Sequence, residues 1–460
     1  MGTSFILERL AAMRSSYDSG ITRSYSFRKT QLEKLKQAVV RHEQAIYDAL
    51  YTDLKKSPEE SWVTENGFFL CEISNAIRNL RRWMEPERAS TNLVNLPSTS
   101  KVISEPLGVV LIISPWNYPF QLLFTPLAGA LAAGNCVVLK PSEFAPATSA
   151  VMRKIIEENF SPEYIFFVEG DGAEVVPFMM KNFVFDHVFY TGSTAVGKQI
   201  YKMAAEQLVP VTLELGGKSP CVVEEDADIR AAVRRIALSK FSNAGQMCVA
   251  PDFILVHESK KDQLLDTFRE VLPQFFGENP SEHYNYGKII NQKQFDRIIP
   301  YLQQGNIVYG GRYDRDSLFI EPTILTEPAL DAPVMREEIF GPVLPIIGFT
   351  DFEQACAIIA QNPNPLAFYL FTADKKKEKK WMETISFGGG CINNASWHLT
   401  NHNLPFGGRG TSGIGHYHGK YSFDRFSHKK AIMKTPTWLD PDIKYPPFKG
   451  RLKLFKWVIK

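Results

Sequence analysis

Several protein classes leave marks that this sequence does not carry. It has only six cysteines in 460 residues (Cys71, Cys136, Cys221, Cys248, Cys356 and Cys391), with no CxxC pair and no cysteine–histidine spacing of a zinc site. That argues against a disulfide scaffold or a structural zinc centre and leads us to expect a reducing, cytoplasmic setting. Net charge is nearly absent too, since 52 basic and 50 acidic residues leave only +2. A nucleic-acid partner is therefore not expected, and 44% hydrophobic residues are too many for a disordered chain. No charge interrupts Pro106–Leu139, but Pro115, Asn117, Pro119, Gln121, Pro126 and Asn135 do. That run reads as buried strand, loop, helix and strand rather than as a membrane span. Near the N-terminus, Glu8 and Arg9 fall inside what would be the apolar stretch of a signal peptide, and Ile6 replaces the hydroxyl residue of a myristoylation signal. A soluble protein is expected.

What is present has a strong order. The length exceeds what one hydrophobic core serves, so two or three domains are expected. Leu32, Leu35, Ala38, Val39, Ile46 and Leu50 recur at helical spacing, which predicts a mainly helical N-terminal arm. Short apolar runs then alternate with amphipathic stretches. Strands are predicted at Val109–Ile113, Cys136–Leu139, Tyr164–Val168, His187–Thr191 and Val211–Leu215. Helices are predicted at Thr125–Ala133, Met152–Glu158, Val175–Lys181 and Val196–Gln207. A second α/β unit, with strands Ser219–Val223 and Phe253–His257 and helices Asp228–Phe241 and Lys260–Phe276, runs to about Asn394. Such alternation implies doubly wound, mostly parallel sheets with functional residues at strand ends. The run Asp374–Lys380 reads as a solvated helix face.

Four segments could carry chemistry, and each has a plainer reading. Gly192–Gly197 follows a strand and opens a helix, where free amides favour phosphate, yet an ordinary tight turn has the same pattern. Gln199 stands where a P-loop needs a hydroxyl, and the middle glycine of the dinucleotide fingerprint is missing. Glu214 ends an apolar strand, where burial would raise its pKa toward that of a general base; an ion pair with Lys218 is the alternative. Cys248 follows an amphipathic helix beside Gly245 and is either a nucleophile or a small buried hydrophobe. Asn117, between Pro115 and Pro119, could offer its amide to an oxyanion or cap a turn.

Taken together, these segments resemble the aldehyde dehydrogenase superfamily. PWN at Pro115–Asn117, KPSE at Lys140–Glu143, GST-x-VG at Gly192–Gly197, ELGGK at Glu214–Lys218, GQ-x-C at Gly245–Cys248, EEIFGP at Glu337–Pro342 and PFGG at Pro405–Gly408 occur in the family's order. Cys248–Asp252 and Tyr417–Phe423 resemble the class-3 branch, which includes fatty aldehyde dehydrogenase. The resemblance implies an α/β fold of two doubly wound domains plus a small bridging or oligomerisation element. It divides the chain into a dinucleotide-binding domain (1–80 and 104–214), a catalytic domain (215–400), a bridging element (81–103 and 401–434) and a basic-apolar tail (435–460). A homodimer is expected, bridged by a strand near Tyr421–Met433.

The same resemblance implies roles for residues. Cys248 would be the nucleophile, with Asn117 and the Cys248 N–H holding the oxyanion and Glu214 activating water. Lys140 and Glu143 would meet the adenosine ribose of NAD, with NADP also accepted. Gly192, Ser193, Thr194, Val196 and Gly197 would lie at the pyrophosphate, Trp116 and Leu215 near the nicotinamide, and Glu338 at its ribose beside Phe340. Met247 replaces a frequent Thr and Asn393-Asn394 a frequent Asn-Asp pair, which bears on the aldehyde pocket. His416 and His418 lack a third nearby ligand, so no metal is expected. The implied reaction is NAD(P)-dependent oxidation of hydrophobic aldehydes, medium- to long-chain aliphatic or aromatic, to carboxylic acids. A CoA-acylating relative and a non-enzymatic binding protein on the same fold are the alternatives. The tail, with Leu, Phe, Trp and Ile among Lys and Arg, is expected either to lie peripherally on an anionic membrane or to dock on protein.

Overall fold

The computed structural model describes residues 2–459. Helices Thr3–Asp18, Tyr25–Arg41, Glu43–Leu54 and Gly67–Met84 form the N-terminal arm, and the six apolar residues picked out by their spacing are all fully buried. They pack beside a six-stranded sheet ordered Gly413–Ile414, Val211–Glu214, His187–Thr191, Val109–Ile113, Cys136–Lys140, Ile165–Phe167. Its five longer strands are parallel, and Gly413–Ile414 pairs antiparallel with Leu213 and Glu214. Chain order runs outward from Val109–Ile113 on one side and resumes with His187–Thr191 on the other. The crevice at the carboxyl ends of those two strands is a topological switch point.

Val109–Ile113 and Cys136–Lys140 are buried at every residue, which is why they read as unbroken apolar runs. The helix Gln121–Ala133 starts a turn earlier than predicted because it too is buried all round and shows no period at its start. The helix Pro146–Asn159 likewise begins before Met152. Its N-cap position is Ala145, which offers no side-chain acceptor, so Asp53 from the N-terminal arm substitutes. Asp53 accepts from Ala147 N (3.2 Å), Thr148 N (2.8 Å) and Thr148 Oγ1 (2.7 Å).

A seven-stranded sheet follows, ordered Asn306–Tyr309, Thr323–Thr326, Val343–Phe349, Phe253–His257, Pro220–Val223, Ala367–Phe371, Gly389–Ile392. Only its first pair is antiparallel. The Asp374–Lys380 run is more than a solvated face. Asp374 caps the helix Lys375–Thr384, Lys377 reaches Glu224 (2.9 Å) and Glu225 (3.0 Å), and fully buried Trp381 donates to Glu224 (2.6 Å).

A third sheet joins Glu87–Ala89, Thr99–Pro106 and Ser427–Lys434, all antiparallel. The strand expected near Tyr421–Met433 is a helix in its first part, Gly419–Arg425, and becomes extended at Ser427. Gly419 N donates to the Glu72 carboxylate (2.9 Å), and Phe423 is buried against Trp83, which holds that turn as helix. In the tail, Leu452–Val458 is a short helix. Among the described residues, no helix is long and apolar enough to cross a membrane.

Asp53→Ala should weaken the fold by about 3 kcal/mol, because charge-assisted bonds to otherwise orphaned helix amides are lost. Calorimetry would show this as a lowered first unfolding transition; an unchanged transition would contradict the capping role.

Candidate active site

Three strand-end segments of the six-stranded sheet converge on one crevice: Ser114–Pro119 after Val109–Ile113, Gly192 after His187–Thr191, and Glu214 at the end of Val211–Glu214. Opposite them lies the turn that follows the helix Ile229–Phe241 and leads to Cys248. Between them is a cavity of about 160 Å³. Cys248 and Glu214 both line it, together with apolar walls from Phe68, Leu122, Leu238, Met247, Trp397 and Phe406.

The cysteine turn is built under strain. Asn243, Ala244 and Gly245 all have positive φ (50°, 51° and 75°). Glu60 accepts from Asn243 N at 2.7 Å, and the Gln246 amide spans the turn, donating to Asn243 O (2.9 Å) and Lys288 O (2.9 Å) and accepting from Ile290 N (3.0 Å). Such backbone persists only where surrounding contacts over-determine it, and it clusters at functional sites. A side-chain carbon at Gly245 would lie 2.2 Å from Gly341 O, so the turn is pressed against the Glu337–Pro342 segment. Asn117 is buried just behind the cavity, and its Nδ2 donates to Gln246 O at 3.1 Å, two residues before the cysteine.

Glu214 and Cys248 line this space, and Glu338 lies close enough to act on the thiol. Burial holds Glu214 well above the usual carboxylate range, and neither of its oxygens has a hydrogen-bond partner among the described residues. Lys218 does not neutralise it, because that ammonium pairs with Asp252 and donates to Glu337 O (3.0 Å). The expected alternative for Glu214 is thereby removed. Burial, with the nearby Glu338 and Glu214 carboxylates, pushes the Cys248 thiol up to about 12. Glu338 rises to about 8 through burial and the Asp252 carboxylate.

Lys140, Glu143 and Gly192–Gly197, expected to meet a dinucleotide, lie at or just beyond strand ends of the same sheet. Ser193 caps the helix Thr194–Glu206, accepting from Val196 N, and Val196 itself is 45% exposed. Thr194 Oγ1 donates to Thr411 O (3.4 Å). Lys140 is buried and reaches Glu143 (3.1 Å), which also accepts from Gly172 N (3.2 Å). Burial opposes ionisation of Glu143, but backbone N–H groups and the Lys140 ammonium outweigh it and hold the carboxyl below its usual value. Trp116 and Phe340 meet edge to face with centroids 5.3 Å apart, joining the PWN and EEIFGP segments. Side-chain carbons at Gly216 and Gly197 would lie 1.9 Å from Glu338 Oε2 and 2.6 Å from Leu215 Cδ2. The first amides of the helix Thr194–Glu206, the Lys140–Glu143 pair and these close approaches fit a nicotinamide dinucleotide.

Some residues of the site leave no pattern in the sequence. Glu60 holds the cysteine turn through Asn243 N, and Lys240 is fully buried with no partner for its Nζ among the described residues. Burial lowers Lys240 to about 8. His418, weighed earlier as a metal ligand, is a buried ring stacked on Phe406 at 5.1 Å, and burial lowers it to about 3.

Two outcomes follow from this geometry. Iodoacetamide should modify Cys248 about tenfold faster per pH unit from roughly pH 7 to pH 9, since only the thiolate reacts; a plateau near neutral pH would contradict the raised thiol. Gly245→Ala should destabilise the turn by about 2 kcal/mol or more and remove cysteine reactivity, because strained φ and a clash with Gly341 act together. Wild-type alkylation kinetics in that variant would count against it.

Comparison with known proteins agrees with the site. A model of the aldehyde dehydrogenase family matches residues 9–432. The 4,4'-diaponeurosporen-aldehyde dehydrogenase of Staphylococcus aureus is 46% identical over 97% of each chain. Aldehyde dehydrogenase family 3 member H1 of Arabidopsis thaliana is 45% identical over 97% of this chain and 93% of its own. The substrate-bound state of Staphylococcus aureus AldH superposes with a TM-score of 0.97 at 45% identity, covering 99% of both chains. An indole-3-acetaldehyde dehydrogenase complexed with NAD+ (TM-score 0.86, 28% identity, 94% of this chain and 89% of that one) shares the fold. So does a Methanocaldococcus jannaschii glyceraldehyde-3-phosphate dehydrogenase with NADP (0.85, 25%, 95% of each). The chain belongs to the aldehyde dehydrogenase family, in its class-3 branch, and is an enzyme that oxidises aldehydes with NAD or NADP.

Proposed function

We propose that this enzyme oxidises hydrophobic aldehydes through a covalent adduct on Cys248, with Asn117 and Glu214 as its other reacting groups. The observation that carries the reading is the shared cavity: a thiol and an unpartnered carboxylate face one apolar space. The Cys248 proton passes to Glu214, the sulfur attacks the aldehyde carbon, and the carbonyl π pair becomes an oxyanion. Asn117 Nδ2 and the Cys248 N–H donate to that oxygen. NAD(P), held by the residues named below, would supply the hydride acceptor, and loss of hydride from the former aldehyde carbon leaves a thioester on Cys248. Once Glu214 has released the Cys248 proton to solvent, it takes a proton from water as the water oxygen bonds to the acyl carbon; the C–S bond breaks, its electron pair stays on the sulfur, and the carboxylic acid departs. Splitting one difficult oxidation into two easier steps is the advantage of covalent catalysis. An unpartnered base beside the acyl position favours water over CoA as the acceptor.

Lys140 and Glu143 would hold the adenosine ribose, Gly192–Gly197 the pyrophosphate, Trp116 and Leu215 the nicotinamide end, and Glu338 with Phe340 its ribose. In this reading, residues 1–80 and 104–214 bind cofactor, 215–400 carry the reaction, and 81–103 with 401–434 join two copies into a dimer. Support for the dimer comes from Ser427–Lys434, which is paired along one edge only among the described residues. The apolar cavity walls, and a relative whose name specifies the aldehyde of a long hydrocarbon, support medium- to long-chain substrates. The tail exposes Trp438, Leu452 and Trp457 among Lys449, Arg451, Lys453 and Lys456, which supports peripheral contact with an anionic membrane from the cytoplasmic side. Six free cysteines accord with that compartment.

Glu214→Gln should trap the acyl group: one equivalent of NADH, formed more slowly than in wild type, then almost no turnover, with mass spectrometry placing the acyl adduct on Cys248. Wild-type hydrolysis should rise with pH above the ordinary carboxylate range, because a carboxyl held above its usual pKa becomes a base only as it ionises. The Glu214→Gln variant should lack that rise. An adduct on another residue, or a pH profile unchanged by the substitution, would refute the assignment.

A further inference from the structure

The segment that carries Asn117 is held from behind by an ion pair for which the chemistry above has no use. Lys56 and Glu65 are both completely buried and lie 2.6 Å apart. Lys56 Nζ also donates to Asn117 O at 3.1 Å and lies 3.8 Å from the centroid of the Tyr118 ring. The second carboxylate oxygen of Glu65 accepts from Phe120 N (2.9 Å) and Gln121 N (3.1 Å). One pair from the N-terminal arm therefore grips the loop at the asparagine itself and again at Phe120 and Gln121 just after it. From the opposite direction, Asn243 Nδ2 donates to the same Asn117 O at 2.8 Å.

The local backbone is shaped to make this grip. The helix Glu43–Leu54 ends on Lys55 with φ of 56°, and Ser57 caps the next short helix, so the chain turns sharply at Lys56 and directs it inward. Glu65 sits on a single π-helical turn, Trp62–Asn66, inserted ahead of the long helix Gly67–Met84. Such insertions re-aim side chains and recur at functional sites. Stability alone is a weak reason to keep the pair, since an apolar pair of similar volume commonly does as well or better. Directional donors and acceptors give what apolar packing cannot: a fixed height and rotation for the Asn117 peptide, and with it the line along which Nδ2 points.

We propose that Lys56 and Glu65 are positioning residues for the oxidation step, holding the Asn117 amide where the oxyanion forms. The inference rests on the reading of Asn117 as an oxyanion donor. A misplacement of about 1 Å in such a group costs on the order of a hundredfold in rate.

The test is a double-mutant cycle in the full-length enzyme with NAD and octanal as probe. Glu65→Gln, and the volume-conserving pair Lys56→Met with Glu65→Gln, are measured alone and combined with Asn117→Ala. In the wild-type background each should lower kcat about 10- to 100-fold, while KM for octanal and NAD affinity by fluorescence change less than about threefold. In the Asn117→Ala background the same substitutions should cost almost nothing further, a result that a general loss of stability would not produce. Equal losses in both backgrounds, or losses confined to KM, would overturn the inference while leaving the role of Asn117 intact. Wild-type kcat in Asn117→Ala would overturn both. If the double variant does not fold, Glu65→Gln alone completes the cycle; failure of both to fold would make the pair a folding element and overturn its positioning role.

Discussion

Glu214 and Cys248 share one desolvated cavity, with Glu338 close enough to act on the thiol. Burial raises the Glu214 carboxyl above its usual range, and burial with the Glu338 and Glu214 carboxylates raises the Cys248 thiol. Each charge is therefore costly here, and the nucleophile rests as a thiol. Reaction needs an ionised Glu214 twice, first to take the Cys248 proton and, after passing it to solvent, to take one from water. That economy depends on dryness: salt-bridging Glu214 to a lysine would return its pKa to the ordinary range and remove its capacity to act as a base near neutral pH. The Lys218–Asp252 pair matters for this reason, because it keeps the nearest ammonium in its own stretch of chain occupied elsewhere.

The fold makes such a place available. Buried parallel strands end together at the switch point, so Asn117, Gly192 and Glu214 arrive on one rim although nearly a hundred residues separate the first from the last. The second sheet brings the opposing wall, a turn with three successive positive-φ residues that no isolated peptide would hold. Contacts from distant segments fix it: Glu60 from the N-terminal arm, Gly341 from the segment before Val343–Phe349, and Ile290 from the loop before Gln292–Ile298. Strain in the turn is balanced by packing gathered from the whole chain.

How much of this could be read from the residues alone depended on whether a signal was local. Val109–Ile113 and His187–Thr191 match to the residue because five consecutive buried positions are visible as composition, and Phe253–His257 does so with four. Pro146 was missed as a helix start because the cap is Asp53, far away in sequence. The strand near Tyr421–Met433 is an expectation from family resemblance alone, and its first part is helix because Glu72 accepts from Gly419 N at the start of that turn. The motif segments announced Cys248, Glu214 and Glu338 by type and order. Glu60, Lys56 and Glu65 announced nothing: a lysine in an amphipathic arm looks solvated until the fold shows it with no exposed surface.

The central claim is that burial raises the Glu214 carboxyl well above an ordinary glutamate in the resting enzyme. Difference infrared spectroscopy between wild type and Glu214→Gln, followed across a pH titration, reads its proton directly. A protonated carboxyl band from Glu214 that persists well above pH 4.5 is the predicted result. Loss of that band near pH 4.5, the value of an ordinary glutamate, would contradict the account.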